Sequence, residues 1–528
     1  MRKFCSRIVL AVVAIVFLSF PSWAQTTSTA ELLPQFEKKV AIKKLPNGLT
    51  VVVCRRPEAP VFSFFTFVDA AAAQDKDGAS GLAHMMEHMA FKGSPLIGTK
   101  NWAAEKLALE KVEKAYAAYI RESDKRVGRD EAKLKQLEKA WMDAREAADK
   151  FVEPNEFSKI LDQNGEVGMN AFTAEDETGY FYSMPVNRLE LWAYMESDRL
   201  LHPVMREFYK ERDVVMEERR MRTDSQPVGR LVEQFLATAF IAHPYHREPI
   251  GWMSDLQHIS ATEAEAFFHT YYIPSNMTIT IVGDVTPEQV FPVVERYFGR
   301  IPSSPKPDEH ETVEPPQTAE RRVTLREQAQ PFYLEGYHRP DYRDPDDNVY
   351  DVVSSIMSDG RTSRLYRSLV RDQKIALAAA GFGGFPGDKY PQLFSFYAVA
   401  TQGHTPQELG EAIHKEIDRL KNEDVSDDEL KSVKTRAKAE LIRSLGSNEG
   451  LAQNLATYQA RYGDWRELFR QIDKFDKVSK ADIRRIANKV FVDSNRTVAI
   501  LETATPPKPA GPPGSSAPKS QDNKGGAQ

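Results

Sequence analysis

Residues 301–317 hold five prolines and several charges, a composition that suits a linker, and the segments on either side repeat one order of elements. Ahead of the linker, residues 40–45 alternate apolar and polar, Pro46-Asn47-Gly48 supplies a turn, and residues 49–54 resume as a β-branched run, which predicts a hairpin. A strand at 61–70 follows, then a break at Gly78-Ala79-Ser80-Gly81 and a helix from about Leu82, with Ser80 as its expected N-cap. Strand character returns at 170–183, helices fill 187–224 and 261–272, and residues 278–282 form a strand closed by Gly283-Asp284. Beyond the linker come strands at 322–325 and 332–337, a helix at 349–357, a strand at 393–400 and two helices within 406–443. An offset of 221 sets Tyr209-Lys210 over Leu430-Lys431 on helices in corresponding places. The chain therefore reads as a duplicated α+β domain, with halves at 35–301 and 318–505 joined by a linker at 302–317.

The first 24 residues stand apart. Arg2, Lys3 and Arg7 precede a nearly unbroken apolar run from Ile8 to Phe20, and Ser22-Trp23-Ala24 matches a cleavage signature. This is the pattern of a secretory signal peptide; the alternative, an uncleaved anchor, is disfavoured by the short apolar run. The expectation is export, first to the periplasm, with secretion the alternative and no stable membrane span after cleavage. Losing three basic residues takes 70 Lys and Arg against 76 Asp and Glu to 67 against 76, a balance of −9, which argues against a nucleic-acid partner. Cys54 is then the sole cysteine, so no intramolecular disulfide forms, and its place at the end of an apolar run marks a buried small hydrophobe. Residues 506–528, rich in Pro, Gly, Ser and Lys, cannot bury enough apolar surface to order and read as a disordered tail.

Residues 99–161 form an insertion in the first half. Leu109, Val112, Tyr116 and Tyr119, then Leu134, Leu137, Trp141, Ala144 and Ala148, recur at helical spacing among dense Lys and Glu, with a break at 123–129. Two antiparallel helices follow from this, either a solvated structural arm or a partner-docking one, with its apolar stripe satisfied within the arm.

The residues that carry chemistry are His84-Met85-Met86-Glu87-His88. Histidines four apart on a helix share a face, about 6 Å apart along the axis, so both can reach one ion. Glu87 projects beside them, where it can take a proton from a water that the metal acidifies. The pattern is the inverted form of H-E-x-x-H. Two surface histidines on an amphipathic helix would give the same spacing. Here Leu82, Met85, Met86, Met89 and Phe91 surround the triplet, and burying His, Glu and His together calls for a compensating cation.

At this point the chain resembles the pitrilysin/insulinase metallopeptidases, in particular the short bacterial branch similar to the mitochondrial processing peptidase β subunit. The resemblance covers roughly residues 39–502. It rests on five motifs in order: residues 81–93 around the H-x-x-E-H; Asn170-Ala-Phe-Thr173 with Thr178 and Tyr180; residues 210–218; His243-Pro-Tyr245 with Pro249-Ile-Gly251; and Asn276-Met277 leading to Gly283-Asp284.

The resemblance implies two homologous domains, each a mixed sheet with helices on one face, together half of a four-domain clam-shell chamber. It implies one Zn2+ per chain on His84, His88 and Glu218, the last closing an E-x-x-x-V-x-x-E pattern whose first acid, Glu211, supports the site. Glu211 and Glu218 are close to two helical turns apart and share a face, about 10 Å apart, whereas Glu217 points about 100° away. Glu87 is the implied catalytic base, and Asn170-Ala171 resembles the edge strand on which the family lays its substrate by β-augmentation. The other nine histidines lack ligand spacing apart from His243 and His246, taken as loop residues near the site. The separation of His88 and Glu218, 130 positions, exceeds the family norm, and the insertion accounts for the excess. The second half has no H-x-x-E-H, and at the 221 offset Glu218 falls on Ala439. Arg371 matches an arginine that the family uses on the substrate carbonyl, but the tyrosine expected seven residues later is Ala378. The expected function is a zinc endopeptidase acting on peptides or unfolded presequence-like segments inside a closed chamber. Its expected partner is a second two-domain homologous subunit, a heterodimer in preference to a homodimer. The competing readings are a non-catalytic scaffold subunit and a zinc-binding sensor.

Overall fold

The computed structural model describes residues 29–309 and 312–504; the expected signal peptide and tail lie outside them. Two sheets organise the chain. The first contains β1 (Val40–Lys44), β2 (Thr50–Arg55), β3 (Val61–Val68), β4 (Val167–Thr173), β5 (Thr178–Pro185) and β6 (Met277–Gly283), in the order β1-β2-β6-β3-β5-β4. The second contains β7 (Arg321–Glu327), β8 (Phe332–Arg339), β9 (Ala376–Phe385), β10 (Gln392–Ala400) and β11 (Arg496–Thr503), in the order β7-β11-β8-β10-β9. With β1 set aside, the two orders coincide strand for strand, and so do the directions: β2 with β6 and β7 with β11 are parallel, every other pair antiparallel.

The duplication extends to single side chains. Asn276, entering β6, donates from Nδ2 to the carbonyls of Asp69 (3.2 Å) and Tyr271 (3.0 Å). Asn495, entering β11, donates to those of His338 (2.9 Å) and Val490 (3.0 Å). The helices Phe208–Arg219 and Asp427–Ser444 also correspond, each packing on the helix that follows β3 or its counterpart β8, Leu82–Met89 or Asp347–Ser358.

Each half packs its own helices on one face of its sheet. The opposite face is covered by a helix of the other half. Leu451, Leu455 and Ala456 of the helix Asn448–Tyr462 lie in one cluster with Val52, Cys54, Phe65 and Phe67 of the first sheet. Reciprocally, Leu231, Phe235 and Leu236 of the helix Pro227–Ala239 cluster with Leu334, Leu393, Ala499 and Leu501 of the second. Coverage on both faces is why β2 reads Val-Val-Val-Cys without alternation and why Cys54 is fully buried.

The insertion is a pair of antiparallel helices, Trp102–Ser123 and Glu131–Asp149, followed by a third, Glu156–Gln163. Its apolar stripe is not satisfied within the arm. Tyr116 and Trp141 pack against each other and against Tyr209, with ring centroids 4.4–5.3 Å apart, and all three join the main core of the first half. Arg212 lies over these rings and donates to the Tyr116 hydroxyl (2.7 Å), while Glu105 and Arg206 form a buried ion pair at 2.6 Å. Periodicity marked the stripe, but its partner lies on a helix about a hundred residues downstream.

Candidate metal and substrate site

The helix Leu82–Met89 begins at Gly81, whose φ of +86° suits glycine; a Cβ there would collide with the Ile250 carbonyl. The Pro249-Ile-Gly251 motif is thus the surface against which this helix starts. Ser80 is not its cap, contrary to the sequence expectation. The Ser80 hydroxyl donates to Asp255 (2.6 Å) and accepts from the Trp252 amide, while Asp75 accepts from the amides of Gly81 (2.8 Å) and Ala83 (2.9 Å). The left-handed turn at Gly81 leaves the capping to this carboxylate six residues upstream.

One turn on, His84 and His88 face the helix Phe208–Arg219. Glu218 Oε2 lies 3.8 Å from His84 Nε2 and 3.6 Å from His88 Nε2, and one ligand atom from each of the three residues lies within 4.8 Å of the others. Glu211 Oε2 is 3.6 Å from His88 Nδ1, and Lys92 Nζ joins Glu211 (2.5 Å) to Glu207 (3.2 Å). Arg222 holds the other oxygen of Glu218 at 2.7 Å. Burial, aided by the charge of His88, lowers the pKa of His84 to about 4, so its imidazole is neutral, and its Nδ1 is buried without a hydrogen-bond partner. Burial opposes the charge of His88 too, but hydrogen bonds to Glu211 and Glu218 win and raise it to about 9. Two imidazoles and a carboxylate on two helices, one nitrogen unpartnered, are a donor set that suits zinc.

Glu87 sits beside the trio. Its Oε2 accepts from the Thr173 hydroxyl at 2.7 Å, and burial pushes its pKa up. Thr173 ends β4, the outermost strand of its sheet, which packs on the helix Leu82–Met89. Asn170 and Ala171 lie on the same strand, with the Ala171 amide held by the Asn170 side chain at 2.9 Å. The structure thus brings together His84, Glu87, His88, Glu211, Glu218 and the strand bearing Asn170 and Ala171. Arg371 is elsewhere, exposed at the end of the short helix Tyr366–Asp372 of the second half and paired with Asp372 at 2.6 Å; Ala378 lies on β9 opposite Val399. His243 is buried where the halves meet, its ring 4.4 Å from that of Tyr245 and 4.8 Å from that of Tyr390. Sequence reasoning missed Asp75, Lys92, Thr173, Glu207 and Arg222 as members of the site. Lys92 and Thr173 stand inside quoted motifs, but nothing local reveals which acids they meet.

Among known proteins, the family model described as Peptidase M16 inactive domain matches residues 258–437, a stretch outside the H-x-x-E-H helix and Glu218. The chain is similar to the zinc protease PqqE of Helicobacter pylori, 29% identical over 472 residues that cover 87% of this chain and 91% of that one. It is 22% identical to a probable mitochondrial-processing peptidase subunit beta of Arabidopsis thaliana, over 87% of this chain and 78% of the relative. The crystal structure of a protease from Helicobacter pylori superposes with a TM-score of 0.72 at 26% identity, covering 88% of this chain and 99% of that one. Motifs, two-sheet fold and these likenesses agree: the chain is similar to the pitrilysin-like M16 peptidases.

Proposed function

We propose that this chain is a zinc-dependent endopeptidase, acting on extended peptides or unfolded segments and assembled with a second two-domain homologous subunit into a closed chamber. One observation carries the reading: His84, His88 and Glu218 converge next to Glu87 and beside the open edge of β4. His84, His88 and Glu218 would hold the metal. When bound there, zinc supplies Lewis-acid chemistry, polarising a carbonyl and making water acidic enough to deprotonate near neutral pH. Glu87 is the proton acceptor; Thr173 fixes one of its oxygens, and burial moves its pKa toward the range in which a general base works. Glu211 orients His88 through Nδ1, and Lys92 holds Glu211 in turn. The β4 edge around Asn170 and Ala171 offers main-chain pairing to a peptide of any sequence, so selectivity is left to pockets. The likeness to a β subunit of a processing peptidase supports the pairing with a homologous partner, and the leader supports export to the periplasm. Among the described residues no helix is long and apolar enough to cross a membrane.

The test is Glu87→Gln. The variant should retain about one zinc per chain, measured by metal analysis, and lose peptide hydrolysis. Loss of the metal, or retention of turnover, would overturn the assignment of roles.

A further inference from the structure

The two halves touch at equivalent places. Residues 174–177 join β4 to β5, and residues 386–391 join β9 to β10, which are the corresponding strands of the second sheet. These two hairpin turns are bonded to each other. The carboxylate of Asp176, 4% exposed, accepts from the backbone amides of Asp388 (2.9 Å) and Lys389 (3.1 Å) and from the Tyr245 hydroxyl (2.6 Å). Beside it, Arg461 bridges Glu177 (2.9 Å) and Asp388 (2.6 Å), and Lys389 reaches Asp69, just past β3, at 2.6 Å. Residue 387 is glycine, and a Cβ there would collide with the Asp176 carboxylate and the Tyr245 hydroxyl.

A buried carboxylate that takes hydrogen bonds from several donors is held tightly, because charge-assisted bonds are short and each donor would otherwise lie unpaired. The turn is also fastened to its own half, through the Ala72 and Ala73 amides on the carbonyls of Ala174 and Glu175. Asp176, with Glu177 through Arg461 beside it, fastens it to the other half. Asp176 is three positions along the chain from Thr173, which holds Glu87, and five from Ala171 on the open edge. We propose that Asp176 is a positioning residue, through which the half lacking the H-x-x-E-H sets where β4 receives an extended peptide relative to Glu87. The proposal rests on the peptidase reading above. It gives the second half a part in substrate binding without any contact with the metal ligands.

Three variants test it: Asp176→Asn, which takes the charge from the acceptor of two backbone donors and leaves it a single oxygen; Gly387→Ala, which pushes the same contact from the second half; and Tyr245→Phe, a milder change that removes a single donor. Each is made in the full chain, alone and in a Glu87→Gln background. Affinity for fluorescein-labelled peptides from a tryptic digest of β-casein is read by anisotropy in the Glu87→Gln background, with zinc content and melting temperature on the same samples. In the active background, KM and kcat are measured. The expected result is about a tenfold loss of peptide affinity and a matching rise in KM for Asp176→Asn and Gly387→Ala, about 1.4 kcal/mol. Tyr245→Phe should show a smaller loss in the same direction, with kcat within about threefold and zinc retained throughout, the signature of lost binding common to ground and transition states. Unchanged affinity and KM with a lowered melting temperature would reduce Asp176 to a structural role and overturn the proposal, as would loss of zinc. A wild-type chain that holds zinc but neither binds nor cuts these peptides would instead refute the peptidase reading.

Discussion

Glu217 and Glu218 are adjacent in the chain, yet Glu217 pairs with Arg220 at the surface, its side chain 59% exposed, while Glu218, 15% exposed, faces both imidazoles. Glu211→Gln should therefore weaken zinc binding about 10–100-fold, as loss of an orienting contact does, Glu218→Gln more than that, and Glu217→Gln hardly at all. Titration against a competing chelator ranks the three; equal losses for Glu217 and Glu218 would mean that the ligand has been misassigned. A second residue, Glu175, gives a pH dependence. Burial, then the nearby charges of Asp176, Glu248 and Asp388, raise its pKa from the usual 4.5 to about 8. Between those values the folded chain keeps a proton that the unfolded chain has released, so this group's contribution to stability falls as pH rises from 4.5 to 8 and levels off above. Glu175→Gln should flatten that slope and raise the melting temperature at pH above 8; an unchanged profile would count against it. The histidine pair was legible in the sequence because spacing on one helix is a local fact. Asp75 capping that helix was not, since it depends on Gly81 turning left-handed and delivering two amides to a residue upstream.

At the scale of elements, the inserted hairpin is a wall of the core. Trp141, 6% exposed, stacks with Tyr119 and meets Tyr116 and Tyr209, so Trp141→Ala should cost about 3–5 kcal/mol in denaturant unfolding. Removing residues 104–148 should abolish soluble protein or, in whatever remains soluble, zinc binding, because it strips the cover from the helix that bears Glu211 and Glu218. Recovery of a soluble deletion variant with its full zinc would restore the picture of a self-contained arm. Both hairpin helices and the break between them were legible from periodicity, which names an apolar face but not its partner. Strand β9 was not legible: Ala-Leu-Ala-Ala-Ala-Gly-Phe-Gly-Gly-Phe carries no β-branched residue, and it is a strand because β10 offers it a ladder. The pattern assigned no element between residues 443 and 506, where three helices, Asn448–Tyr462, Glu467–Lys477 and Lys480–Val490, precede β11.

At the scale of the molecule, Ala378 stands where the family resemblance expects a phenol, so two copies of this chain would offer each zinc an incomplete set of donors to the substrate carbonyl. The isolated chain should be a weak peptidase, on the order of 10²–10³ below its activity with a homologous partner that supplies both groups. Copurification followed by add-back of the partner measures this; full activity of the pure chain, unaltered by Arg371→Ala, would sink it. Duplication was legible as an order of elements on either side of a proline-rich stretch, but the exchange of helices between halves was not, because each exchanged helix sits in sequence with its own half. That exchange bears on what the peptide bond at the junction is for. Each half alone would present a bare sheet face, Val52, Phe65 and Phe67 on one and Leu334, Leu393 and Leu501 on the other. A chain nicked once within residues 302–317 should therefore elute as an undivided particle, melt in a single transition and come apart only in denaturant. The same two pieces, made separately, should be insoluble until they are mixed: continuity of the backbone there is dispensable, and mutual burial is not.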